Sequence, residues 1–284
     1  MKLKPATLIA TVLFAATTAH AGERIVSFDH GSLDTLEELG LNEHIVALPK
    51  QALPEYLERY ASADYADVGG LRTPDFEAIR DAEPSLILIT GRQVEWQQTF
   101  EEIAPVLNTG LDGSDYLGAF NENVRDLAAR LDAAAEAESA LERLRVHIEH
   151  ARETLAGTAP VLVATHNDGN LILSSHPVMY DVLGLTQPEI PDSVPSLERG
   201  SRIFRPLSAE AVAEMAPETL LIIDRSGAIG GDSVDLDTVR AAFAEAGAEE
   251  TKLVVLSPAL WYLSGGGLQS LSLQIDEVVT ALQH

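Results

Sequence analysis

The chain has 284 residues, 44 acidic against 19 basic side chains, a formal net charge of -25 and 46% hydrophobic residues. At about 100–200 residues per domain, that length holds two domains or one large one, and the apolar share can bury a core, which excludes a disordered chain. The absence of cysteine excludes disulfide scaffolds, thiolate metal sites and cysteine nucleophiles, and the acidity excludes a nucleic-acid surface of clustered Lys and Arg.

Lys2 and Lys4 open the chain, an apolar run follows from Ala6 to Ala16, and Ala19-His20-Ala21 offers small residues for cleavage. This pattern predicts a secretory signal peptide over 1–21, too short for a good membrane anchor. No cysteine follows it for lipid attachment, so the expected product is an exported, unlipidated protein of the periplasm. No later segment is long and apolar enough to span a bilayer. The acidity suits a salty habitat, where a well-hydrated surface maintains solubility.

Residues 23–29 read as a strand, 31–39 as a helix stopped by Gly40, and 44–48 as a second strand. Pro74 opens a helix over 75–82, and Pro84 precedes the apolar strand 86–90. This alternation predicts an α/β lobe with parallel strands. From Leu117 to Ala156 the only Gly or Pro is Gly118, which predicts a single helix of about 36 residues and roughly 54 Å, with two helices joined at a kink as the alternative. A second alternation follows. It has a strand over 160–165, a turn at Asn167-Asp168-Gly169-Asn170 and a strand over 171–173. A helix over 179–183, a loop over 186–201, a helix over 208–215 and a strand over 219–224 come next. Helix 237–246, strand 252–256 and a closing helix over 268–282 complete the chain.

Pro74–Arg92 (PDFEAIRDAEPSLILITGR) and Leu207–Arg225 (LSAEAVAEMAPETLLIIDR) align without a gap. Glu77 then meets Glu210, Pro84 meets Pro217, Leu88 meets Leu221 and Arg92 meets Arg225. Each copy is an acid-bearing helix, a Pro-broken turn, a buried strand and an arginine at the strand's carboxyl end. Ligands of open α/β sheets sit beyond that end, so two facing lobes would set Arg92 and Arg225 across one cleft. Planar, permanently charged guanidinium groups there suit an anionic, oxygen-rich ligand.

The segments FDHGSLDTLEELG, ALPKQALPEYLERY, VGGLRTPDFEAI, IIDR and SPALWYLSGGGLQSL resemble the periplasmic ferric-siderophore-binding proteins of ABC importers, in the branch for catecholate siderophores. The resemblance covers nearly the whole chain after residue 21. It implies a class III periplasmic binding protein fold, α/β, with two Rossmann-like lobes bridged by one long α-helix. The lobes would be 22–118 and 157–284, with the bridge over 119–156. It also implies a monomer that captures a ferric siderophore and hands it to an inner-membrane permease, with ferric iron as cargo and no resident cofactor.

By the same resemblance Tyr262, in WYLSGGG, is the residue that ligates iron; a phenolate is a hard anionic oxygen of the kind ferric iron favours. Arg92 and Arg225 would pair with catecholate oxygens, with Trp96 nearby. Glu77 and Glu210 would dock the two lobes onto permease arginines. Two departures from the branch stand out. Ile203-Phe204-Arg205-Pro206 occupies the place of a histidine-containing stretch, and Ser174-Ser175-His176-Pro177 the place of a third arginine. His176 is therefore the candidate for a replacement iron ligand, and Arg202 or Arg205 for the lost positive charge.

Other readings are haem, cobalamin or another metal chelate as ligand, a bare metal ion held by His44, His166 and His176, or a periplasmic enzyme. No GxSxG elbow, HExxH or P-loop is present, which weighs against the last.

Overall fold

The computed structural model describes residues 22–51, 53–111, 115–200 and 202–283, apart from the side chains of Arg199 and Arg202. The signal-peptide expectation over 1–21 lies outside the described residues.

The N-terminal half contains strands β1 (Ile25–Ser27), β2 (Ile45–Leu48), β3 (Ala66–Asp67), β4 (Gly69–Gly70), β5 (Thr73–Pro74), β6 (Leu86–Ile89) and β7 (Val106–Asn108). Its helices are α1 (His30–Glu38), α2 (Phe76–Asp81) and α3 (Gln97–Glu101). Five strands form one all-parallel sheet in the order β3-β2-β1-β6-β7. Fully buried, uniformly apolar β6 (LILI) is what a strand covered by helices on both faces requires. One face packs on Leu33, Leu36 and Leu57, the other on Phe28, Ile79 and Phe100.

The predicted single helix over 117–156 is two helices, α4 (Tyr116–Arg130) and α5 (Ala134–Thr154). Asp132 turns left-handed at φ 56°, and the Ala133 amide donates back to the Ala128 carbonyl at 2.9 Å. That is a helix stop usually built on glycine, here made by an aspartate, which tolerates this region better than most side chains. The chain then folds back, so that Arg125 meets Glu138 at 2.6 Å. Phe120, Val124 and Ala128 pack in one cluster with Ala137, Leu141 and Leu144. Folding back buries two apolar stripes that a straight rod would leave in water. Helix α5 touches both halves, through Arg143 to Glu38 at 2.9 Å and through Arg152 to the Val182 carbonyl at 2.6 Å.

The C-terminal half contains β8 (Val161–Asn167), β9 (Asn170–Leu173), β10 (Leu197–Arg199), β11 (Arg202–Phe204), β12 (Thr219–Asp224) and β13 (Lys252–Leu256). Its helices are α6 (Ala209–Met215), α7 (Arg225–Ala228), α8 (Leu236–Ala246), α9 (Pro258–Tyr262) and α10 (Leu268–Gln283). The second sheet runs β13-β12-β8-β9, parallel except for the β8–β9 hairpin. That hairpin turns at Asp168 and Gly169, φ 49° and 77°, as the Asn-Asp-Gly-Asn stretch predicts. The segment read as loop over 186–201 ends in strand β10, paired antiparallel with β11. The helix expected over 179–183 is a single wide turn, Val178–Val182.

The two halves meet where α1 touches the segment before α10. A Cβ on Gly31 would lie 2.3 Å from the Gly265 carbonyl oxygen, and one on Gly267 would lie 2.1 Å from the Gly31 oxygen. Gly31→Ala is therefore expected to lower stability by about 2 kcal/mol, an overpacking cost, read as a fall in the denaturant midpoint.

Asp34 of α1 is fully buried at the same seam. Burial pushes its pKa up to about 7, opposed by hydrogen bonds from Ser270, Gln269 and Tyr56. An acid whose pKa is higher folded than unfolded stabilises the fold when protonated. This contribution is complete below the unfolded value of about 4 and is lost as pH rises to about 7. The stability difference between wild type and Asp34→Asn should therefore move against wild type across that window and level off above it, in urea unfolding at stepped pH.

Candidate functional site

Both arginines of the repeat stand beyond the carboxyl ends of equivalent strands. Asp75 caps α2, which leads into β6 and then Arg92; Ser208 caps α6, which leads into β12 and then Arg225. The loop after β6 is fastened by the buried side chain of Gln93. Its Oε1 accepts from the Thr90 amide at 3.0 Å, and its Nε2 donates to the Leu71 carbonyl at 2.7 Å. Arg92 reaches across the seam and donates to the carbonyls of Tyr262 and Leu263. Burial lowers its pKa and neighbouring Asp29 and Tyr262 oppose the shift, but a guanidinium remains charged at any working pH.

Arg225 begins α7. The Asp224 carboxylate beside it accepts from the Gly227 amide at 3.0 Å, the Val234 amide at 3.1 Å and His166 Nδ1 at 2.7 Å. Burial raises the pKa of Asp224, and these donors more than offset it, for a net lowering. The opposite ring nitrogen of His166 accepts from the Gly169 amide at 3.1 Å. This buried pair fixes the residues flanking Asn167 and Arg225, and Arg225 donates to Asn167 Oδ1.

Tyr262 ends α9 between the two cations. Arg225 Nε donates to its hydroxyl at 2.8 Å. The Arg225 guanidinium lies 5.4 Å from the ring centroid and that of Arg92 lies 5.9 Å from it, both within cation–π range. The three residues line a cavity of about 220 Å³ with Gln51 and Arg72, and Leu71 and Ile229 provide apolar wall. A second cavity of about 440 Å³, lined by Arg72, Arg92, Tyr116, His176 and Ser264, lies on the same seam. Among the described residues no carboxylate lies within ion-pairing distance of Arg72, Arg92 or Arg225. Asp29 also lines the second cavity and offsets part of the Arg92 charge, and the guanidinium charge that remains makes the seam a local anion site in so acidic a chain.

The other expected site residues are dispersed. His176 lines the second cavity, not that of Tyr262. Its ring edge packs on Trp261 at 5.0 Å, its Nδ1 accepts from the Val178 amide at 3.3 Å, and burial pushes its pKa down to about 4. Trp96 packs against the core beneath the first sheet and lines neither cavity. Arg205 is exposed and lines neither cavity, its carbonyl accepting from the Leu173 amide at 2.8 Å. The Arg202 side chain lies outside what is described. Glu77 and Glu210 are exposed in the first turns of α2 and α6. His44 contacts the Glu23 carbonyl and His166 pairs with Asp224, so the three histidines do not converge. Among the described residues no group of three His, Asp or Glu could hold a metal ion.

Sequence reasoning missed Arg72, which lines both cavities. It sits just before the first repeat copy, in VGGLRTPDFEAI, and its position two residues before Pro74 was the available signal.

A family model described as periplasmic binding protein matches residues 25–250. The chain belongs to that family. It is 33% identical over 275 residues to the petrobactin-binding protein YclQ of Bacillus subtilis, covering 92% of this chain and 83% of that protein. The ferric-anguibactin-binding protein FatB of Vibrio anguillarum is 24% identical over the same shares. The crystal structure of YclQ superposes with a TM-score of 0.83 at 32% identity, over 92% of each chain. That of the iron uptake ABC transporter substrate-binding protein PiuA of Streptococcus pneumoniae gives 0.81 at 31% identity, over 92% of this chain and 93% of that one. The fold is that of the class III periplasmic binding proteins. Among the described residues no helix is long and apolar enough to cross a membrane.

Proposed function

We propose that this protein captures a ferric catecholate siderophore between its two lobes, 22–118 and 157–284, joined through 119–156, and delivers it from the periplasm to an ABC importer. One observation carries the reading. Tyr262 is held between two guanidinium groups that come from equivalent positions in the two halves and have no carboxylate partner. Phenolate suits ferric iron, and planar cations suit catecholate oxygens. The likeness to a petrobactin-binding protein supports the same ligand class.

A bis-catecholate fills four of iron's six positions, and Tyr262 fills a fifth. Because His176 lines the neighbouring cavity, the sixth falls to water or to a further ligand oxygen. His176→Ala should leave the ferric-catecholate charge-transfer band in place; its loss would make His176 the sixth donor.

Tryptophan fluorescence tests the ligand class directly. Trp261 adjoins Tyr262, so ferric bis-catecholate should quench it with saturation at one equivalent. Quenching by haem or cobalamin but not by the ferric catecholate would overturn the reading.

Glu77 and Glu210 occupy equivalent exposed positions and suit a partner with two similar halves. The helix-cap donors beside Glu210 lower its pKa and favour its charged form. Reversing both charges to lysine should leave ligand affinity unchanged and abolish uptake in whole cells. Intact uptake would remove the docking role.

A further inference from the structure

Asp34 does more than join two helices. Its carboxylate, on α1 of the first half, accepts from the Gln269 amide at 3.0 Å and the Ser270 amide at 3.1 Å, in the first turn of α10 of the second half. The neighbouring Thr35 Oγ1 accepts from the Leu268 amide at 3.2 Å. Asp34 also accepts from the Tyr56 hydroxyl at 2.9 Å, and that hydroxyl bonds Ser264 Oγ. One network thus holds residues 263–267 at both ends. Those residues follow directly on Tyr262, and Arg92 donates to the carbonyls of Tyr262 and Leu263.

The held segment contains three consecutive glycines, with Gly265 and Gly266 at φ 99° and 76°. Glycine loses the most backbone freedom on ordering. A segment of this kind stays in one conformation only if something outside it fixes it. Asp34 is an expensive device for capping a helix, because a buried carboxylate without a cation is costly and a local serine or threonine would do the same. Among the described residues no cation pairs with it. Tyr56 and Tyr116 are the titratable groups facing it from the elements packed around it. The first turn of α10 carries no acidic residue.

We propose that Asp34 is a positioning residue for ligand capture. Through Tyr56 and the start of α10 it fixes the Gly-rich segment, so that the Tyr262 hydroxyl and the Arg92 guanidinium stand ready before the ligand arrives. Preorganisation of this kind removes an ordering cost from binding. The inference rests on the siderophore reading of the same site.

The experiment uses the full chain with Asp34→Ala, Asp34→Asn and Tyr56→Phe, and a ferric tetradentate bis-catecholate as probe. Affinity, the charge-transfer band and amide hydrogen exchange over 263–270 are read for each. Tyr56→Phe should keep the fold, speed exchange over 263–267 without ligand, and weaken binding about tenfold, the scale of one lost hydrogen bond to a charged group. Asp34→Ala should lose more. Asp34→Asn, whose single amide oxygen can accept from only one of the two amides bound by separate carboxylate oxygens, should recover part of that loss. If Asp34→Ala does not fold, Tyr56→Phe and Asp34→Asn decide the matter. Wild-type affinity and exchange in both would overturn the proposal, as would lost affinity with unchanged exchange over 263–267. Failure of the wild type to bind the probe would instead overturn the siderophore reading, and the ligand-free exchange would still show whether Asp34 holds the segment.

Discussion

Tyr262→Phe should abolish the phenolate-to-iron charge-transfer contribution of the ferric-catecholate complex and raise Kd at least about tenfold, roughly 1.4 kcal/mol. The substitution isolates the oxygen. The ring stays, so both guanidinium groups keep their cation–π partner at 5.4 and 5.9 Å. Arg225 keeps Asn167 as an acceptor, so the fold should hold. What disappears is the one hard anionic donor the protein offers to the metal between its cations. An unchanged band with unchanged affinity would show that iron is coordinated by the siderophore and solvent alone, and that Tyr262 only packs.

Replacing Arg92 and Arg225 together by glutamine should weaken binding by about 10³-fold, because two charge-assisted contacts of about 1.5–3 kcal/mol each are lost. Any departure of the double variant from the sum of the two single losses would measure their coupling through the shared tyrosine. Arg92→Gln should also lower stability, because the carbonyls of Tyr262 and Leu263 lose their donor across the seam. Wild-type affinity for an anionic chelate should fall with salt, and the double variant should lose most of that dependence, since it no longer presents two of the three unpaired cations. Lysine at both positions keeps the charge without the planar fork, so an intermediate affinity is expected. A double glutamine variant that binds as wild type, with the same salt slope, would remove the arginines from the site.

These residues were legible because they sit in a repeat. Local periodicity separated helices from strands in both halves, and the ungapped match of Pro74–Arg92 with Leu207–Arg225 put two arginines at equivalent strand ends. The Asp-Gly turn of the β8–β9 hairpin was legible too, since it depends on two adjacent backbone conformations. The break at Asp132 was not. Nothing in the composition of residues 117–156 marks a stop, and an aspartate makes the left-handed residue that glycine usually supplies. His176 and Trp96 were legible as residue types but not as locations. One packs on Trp261 in the second cavity, the other on the core of the first sheet.

The sequence by itself determined the alternating α/β pattern, the twofold internal likeness, and the equivalent placement of Arg92 and Arg225 at two strand ends. All of these depend on periodicities and on interactions between residues close in the chain. Only the tertiary structure decided how the halves are joined. Asp34 meets Ser270, Tyr56 meets Ser264 and Gly31 meets Gly265, partners more than 200 positions apart. No local preference encodes such pairings; they arise where burying one face of each half against the other outweighs desolvating a carboxylate and ordering three glycines.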